Sequence, residues 1–221
     1  MPTRIALIHA TPLAMAPVTQ AFATHWPAAE LINVLDDTLS RDRATSDLTP
    51  ALSDRIGCLA DDALSAGADG ILYTCSAFGP AIEAVAGRLR VPVLGPNDAM
   101  LDAALDAGER IGLLATFEPT LPAIETELRA RARQRSKSVH PLPCLAAGAL
   151  EALTVGDEAG HNRLCAGAAV EIGKCDVIAL AQFSMTPASE SVASAAAVKT
   201  LNGPESAVLR LRSIAGSSNS Q

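Results

Sequence analysis

Asp69-Gly-Ile-Leu-Tyr-Thr-Cys-Ser-Ala-Phe-Gly-Pro-Ala-Ile-Glu-Ala-Val-Ala86 decides the fold. The stretch opens on an apolar run of strand length, crosses small polar residues, and ends in a helical pattern begun by Pro80. The same order returns 107 positions later as Asp176-Val-Ile-Ala-Leu-Ala-Gln-Phe-Ser-Met-Thr-Pro-Ala-Ser-Glu-Ser-Val-Ala193. Matches include Asp69/Asp176, Ile71/Ile178, Pro80-Ala81/Pro187-Ala188, Glu83/Glu190 and Val85-Ala86/Val192-Ala193. Two further pairs keep the same order: Arg4-Ile-Ala-Leu-Ile with Arg110-Ile-Gly-Leu-Leu at offset 106, and Gly95-Pro-Asn-Asp-Ala with Gly203-Pro-Glu-Ser-Ala at offset 108. Any one match in an alanine-rich chain is coincidence. Three in sequence at nearly one offset indicate an internal duplication.

Outward from the repeat, short apolar runs alternate with longer helical patterns. Strands are expected at Arg4–Ile8, Glu30–Leu35, Gly70–Thr74, Val91–Leu94, Arg110–Ala115 and Asp176–Ala181. Helices are expected at Asp54–Ala66, Pro80–Leu89, Asp98–Ala107, Pro119–Arg133 and Asp157–Gly173, with Gly203-Pro204 opening a last helix that returns to the first half. Such alternation implies parallel sheets with right-handed crossovers. The expected class is therefore α/β: two pseudo-symmetric, Rossmann-like halves with the active-site cleft between them. Residues 1–96 with 204–221 form one half and residues 97–203 the other. The tail Gly216–Gln221 is expected to fray.

Composition limits the function. Lys+Arg number 17 and Asp+Glu 24 over 221 residues, a net charge of −7, which argues against a nucleic-acid binder. Hydrophobic residues reach 49% while aromatics are 3%, so the core is built from Ala, Val, Leu and Ile and no base-stacking platform is expected. The five cysteines form no CxxC and no zinc-ligand spacing. No signal-peptide pattern is seen at Met-Pro-Thr-Arg, and no window approaches the ~20 apolar residues of a membrane helix, so a reducing cytoplasm and no membrane partner are expected.

In open parallel sheets, ligands bind beyond the carboxyl ends of strands. Thr74–Gly79 and Ala181–Thr186 fall there, just before the helices expected to begin at Pro80 and Pro187. Both are rich in small hydroxyl residues and hold no cation, which suits a small carboxylate held by neutral donors. Cys75, close ahead of a helix start, is expected to have a lowered pKa, with Thr74 and Ser76 able to donate to a thiolate or to substrate. Its alternative is a small buried cysteine at a strand end. The repeat sets Gln182 in the place of Cys75, and an amide can be neither proton acid nor base.

Ile8-His-Ala-Thr-Pro12, Tyr73-Thr-Cys-Ser-Ala-Phe-Gly79, Pro96-Asn97, Leu114-Ala-Thr116 and Leu180-Ala-Gln-Phe-Ser-Met185 together resemble the aspartate/glutamate/hydantoin racemase superfamily, which also holds arylmalonate decarboxylase and maleate isomerase. The resemblance covers nearly the whole chain in order. It implies a two-domain α/β enzyme needing neither metal nor organic cofactor, acting on a small carboxylate substrate, and it leaves room for a homodimer. By position, Cys75 matches the first catalytic cysteine and Gln182 stands in place of the second. Cys175 does not replace it, because it precedes its strand. Arylmalonate decarboxylase also has one active thiol, but in its second half, so the arrangement here is reversed. Thr11, Ser76, Asn97, Thr116 and Ser184 match positions that hold substrate carboxylates, each with an alternative as a cap or turn residue.

His9 ends the first strand and is either an acid/base facing the cleft or a histidine bonded to the backbone. His25, His140 and His161 are expected at the surface. Arg129 to Lys137 read as a solvated face, and Asp36, Asp37 and Asp42 lack a metal-ligand partner at recognisable spacing. Two function classes stay open: an enzyme that racemises, isomerises or decarboxylates at the carbon next to a carboxylate, and a carboxylate-binding protein without catalysis.

Overall fold

The structure, a computed structural model, describes residues 2–218. It divides into two compact units, one running to Asp98 and taking up the chain again from Ala207, the other spanning Ala99–Ser206. In chain order the first carries β1 (Arg4–His9), α1 (Met15–His25), β2 (Glu30–Leu35), α2 (Thr38–Thr45), α3 (Pro50–Ser65), β3 (Gly70–Tyr73), α4 (Gly79–Arg88) and β4 (Val93–Leu94). After α5 (Asp98–Ala107) the second carries β5 (Arg110–Ala115), α6 (Thr120–Gln134), β6 (His140–Leu145), α7 (Ala149–Thr154), α8 (Glu158–Glu171), β7 (Val177–Leu180), α9 (Ser189–Ala196) and β8 (Thr200–Asn202). The last helix, α10 (Gly203–Ser218), starts in the second unit and ends in the first, where Arg212 donates to the His25 carbonyl at 2.8 Å.

Each unit is a four-stranded parallel sheet, ordered β2-β1-β3-β4 in one and β6-β5-β7-β8 in the other. Register repeats the sequence offset: Ala6 faces Ile71 as Gly112 faces Ile178, and Ile71 faces Val93 as Ile178 faces Thr200. The inner strands β3 and β7 are buried at every residue, as parallel strands covered on both faces must be.

The shared aspartates have a structural role. Asp69 accepts the Arg4 backbone N–H at 2.8 Å, and Asp176 accepts those of Glu109 and Arg110 at 2.9 and 2.8 Å. Each carboxylate therefore pins the start of one inner strand to its neighbour. Gly108 makes room for the second: a Cβ there would lie 2.4 Å from the Asp176 Cβ, too close to the backbone for a rotamer change to relieve. Gly108→Ala is expected to cost on the order of 1–3 kcal/mol, read as a lower denaturant midpoint at unchanged slope.

Some expectations are corrected. β6 and β8 were absent from the sequence reading. The first is His-Pro-Leu-Pro-Cys-Leu, whose prolines argue against a strand, yet β6 is a sheet edge. His140 N–H bonds to Glu109 on the β5 side, so Pro141 and Pro143, one and three residues on, fall where the N–H would face away. Helices α1, α2 and α7 also lie outside the expected elements. Pro80 lies in the first turn of α4 as expected, but Pro187 sits inside a 3₁₀ segment, Phe183–Ala188, and α9 begins only at Ser189. Gly216, Ser217 and Ser218 are helical rather than frayed; residues 219–221 lie outside those described. His161 is fully buried, with Nε2 3.6 Å from Cys165 Sγ, rather than at the surface. No helix among the described residues is long and apolar enough to cross a membrane.

Candidate active site

Parallel pairing sends the carboxyl ends of the strands in each unit to one edge, and every candidate residue follows such an end. In the first unit these are His9 and Thr11 at the end of β1, Cys75 and Ser76 after β3, and Asn97 after β4. In the second they are Thr116 after β5, and Gln182 and Ser184 after β7.

Cys75 and Gln182 are local equivalents. Each is the second residue beyond an inner strand, each has extended backbone (φ −128°, ψ 123° and φ −142°, ψ 142°), and each caps a 3₁₀ segment. Cys75 is partly buried against the first unit's core, while Ser76 and Ala77 are exposed and Phe78 anchors the turn at 1% exposure. The expected lowering of the thiol pKa is overturned. Burial pushes Cys75 above its ordinary value, against a backbone N–H from Ala77 and the charge of Arg43, which both act the other way. The geometry gives the reason: the turn Ser76–Phe78 comes first and α4 starts only at Gly79, so the thiol is not at an α-helical N-terminus.

The Thr74 hydroxyl is bonded to His9. His9 is fully buried, with Nε2 3.0 Å from Asn33 Oδ1 and Nδ1 3.0 Å from the Thr74 hydroxyl. Burial holds His9 below its ordinary pKa despite the bond to Asn33, so the ring is neutral at pH 7. With Nε2–H donating to Asn33, Nδ1 accepts the Thr74 proton, which the Ile8 carbonyl shares at 3.3 Å. Asn33, His9 and Thr74 thus tie β2, β1 and the end of β3 together. Thr11 accepts the Leu13 N–H at 3.4 Å, capping the turn Pro12–Ala14, and Asn97 is buried in the turn before α5, where Asp98 accepts the Gly95 N–H at 2.6 Å.

In the second unit Gln182 Oε1 accepts two bonds from one residue: the backbone N–H of Thr116 at 2.8 Å and its hydroxyl at 2.9 Å. A backbone N–H can only donate, so this contact fixes which end of the amide faces Thr116. The Nε2 hydrogens are turned away as two oriented donors. Thr116 thus has both its N–H and its hydroxyl proton on Gln182. Ser184 is partly exposed within the 3₁₀ segment.

Sequence reading missed Arg43. From α2 it donates through Nε to the Ala77 carbonyl at 3.1 Å and through Nη1 to Ser46 O at 2.8 Å, bringing a cation to a loop whose own sequence holds none. No spacing could reveal it, because the contact spans 34 residues. The nearby acids are partners of another arginine: Arg55 bonds both Asp36 and Asp42. No group of three or more His, Cys, Asp or Glu that could hold a metal is found among the described residues.

Solved structures of the same fold include allantoin racemase from Klebsiella pneumoniae (18% identity, 97% of this chain and 88% of that one, TM-score 0.68) and Picrophilus torridus aspartate racemase (13%, 97% and 94%, 0.71). A putative Asp/Glu racemase from Yersinia pestis is similar at 15% identity over 96% of this chain and 99% of that one, with TM-score 0.74. No curated protein sequence matches the chain. The family model described as Asp/Glu/Hydantoin racemase matches residues 9–211, nearly the full length, and the chain belongs to that family.

Proposed function

We propose that this family member is a one-thiol, cofactor-independent enzyme acting at the carbon next to a carboxylate of a small acid. Cys75 is its proton donor or nucleophile, and Gln182 is a fixed donor to developing negative charge. Ser76, Ser184, Thr11 and Asn97 complete the carboxylate-holding set, and the protein works without nucleic-acid or membrane partners, in a cytoplasmic setting. The observation that carries this reading is the Gln182 amide, aimed by Thr116 so that it offers two N–H donors where the repeat would place a second thiol. Donors fixed in advance stabilise charge that develops during reaction, and they cannot carry a proton away.

The state of Cys75 narrows the chemistry. A thiol held above its ordinary pKa is protonated at pH 7 and is ready to give a proton rather than take one. That favours a decarboxylation. The C–C bond to one carboxylate breaks, carbon dioxide leaves, the electron pair becomes an enediolate on the remaining carboxylate, and the Cys75 proton passes to carbon. Water then reprotonates the thiolate. Steady-state assays on substituted malonates, maleate and hydantoin, followed across pH, test this. With the thiol as acid, kcat is expected to fall as pH rises through the thiol range. A rate that climbs over that interval would show that the thiolate is the working form and would favour proton abstraction or addition to an unsaturated acid. Labelling separates an enzyme from a mere binder less simply than ionisation alone suggests, since Cys58 is exposed and Cys75 is not. The informative result is protection of Cys75, and not of Cys58, by a turned-over acid.

A further inference from the structure

We infer that Arg43 is a positioning residue for Cys75, clamping the turn that carries the thiol and setting a guanidinium charge beside it. This deepens the reading above and rests on Cys75 being the working thiol. Ala77 is the pivot. Two residues beyond Cys75, its carbonyl accepts the Arg43 Nε–H at 3.1 Å. A second bond, from Nη1 to Ser46 O at 2.8 Å, fixes the guanidinium plane from its own side of the loop. The fork therefore bridges the end of α2 and the Ser76–Phe78 turn, a geometry that lysine, with a single ammonium, cannot copy.

The neighbouring charges have other partners. Arg41 pairs with Asp37, while Asp42 and Asp36 are both engaged by Arg55. The Arg43 charge favours the Cys75 thiolate. The turn is exposed at Ser76 and Ala77, and buried Phe78 and the Arg43 bond both tie it down. If the fork is lost, the turn that carries Cys75 loses its tie to the end of α2 and the favourable charge leaves with it. Loss of that charge disfavours the thiolate.

The test is iodoacetamide labelling of the full-length protein from pH 6.5 to 10, with Cys75 quantified by peptide mapping and exposed Cys58 as internal standard. Arg43→Gln is expected to move the Cys75 pH–rate profile to higher pH and to slow labelling at pH 7.5 by about three- to tenfold relative to Cys58. Arg43→Lys, which keeps the charge and loses the fork, should fall between the two, and Arg41→Gln should match the parent. Should Arg43→Gln misfold, as judged by its thermal transition, the Arg43→Lys profile decides. A profile in the folded variant superimposable on the parent, with Cys75 still labelled, would overturn the inference while leaving Cys75 as the working thiol. Parental turnover by Cys75→Ala would defeat the reading beneath it, and the inference with it.

Discussion

Cys75→Ala is expected to abolish turnover, lowering kcat by about 10²- to 10⁴-fold, the range for removing a proton-transfer or nucleophilic side chain. The effect should be this large because nothing else at these strand ends can replace the thiol. Gln182 and Asn97 do not titrate, Thr116 is committed to Gln182, and the neutral ring of His9 is held by Asn33 and Thr74. Stability should move little, since Cys75 is only partly buried and its loss opens no large cavity. Cys58→Ala, on the exposed face of α3, is the control and should retain full activity. Steady-state kinetics of both variants on whichever acid the panel identifies, with thermal melts alongside, would decide the matter. A Cys75→Ala enzyme with parental kcat would remove the thiol from the mechanism.

How much of this was legible beforehand depended on the kind of signal each residue leaves. The inner strands announce themselves as continuous apolar runs, and their Asp69 and Asp176 starts repeat because the same backbone donors must be pinned in both units. That is why one stretch of sequence decides the architecture. Edge strands carry weaker signals. β6 has two prolines that only an edge tolerates, and β8 is three residues long. The placement of Cys75 and Gln182 was readable, since each is tied by chain continuity to an inner strand.

What surrounds those two residues was not readable. The Thr116–Gln182 lock spans 66 residues and the His9–Thr74 bond 65, and neither spacing has a local pattern. The thiol's raised pKa was missed for a finer reason. A proline ahead of a helical pattern marks a helix start only to within a turn, and here three 3₁₀ residues separate Cys75 from α4. Helix-dipole effects fade within that distance while desolvation does not.

The same arrangement argues that aspartate and glutamate are not racemised. Inverting a carbon without a cofactor requires one group to remove the α-proton from one face and another to deliver a proton to the opposite face. A lone thiol that takes a proton and returns it acts on one face, so the outcome is exchange with solvent and no inversion. Cys75 is a poor base as well, because its thiol is held in the protonated form at pH 7. Gln182 cannot act as the missing acid: it has no dissociable proton, and its orientation is fixed by two bonds from Thr116. His9, first in line as a second base by its position in the sequence, is buried with both ring nitrogens engaged. Substrates that bring their own activation, such as a malonate losing carbon dioxide, avoid the problem because they need a proton on one face alone. Chiral chromatography of L-aspartate and L-glutamate after long incubation in D₂O should show no D-enantiomer above the no-enzyme rate, with or without slow deuterium incorporation at Cα. Efficient inversion of either amino acid would mean that a second proton-transfer group reaches the substrate, and the one-thiol mechanism would have to be abandoned.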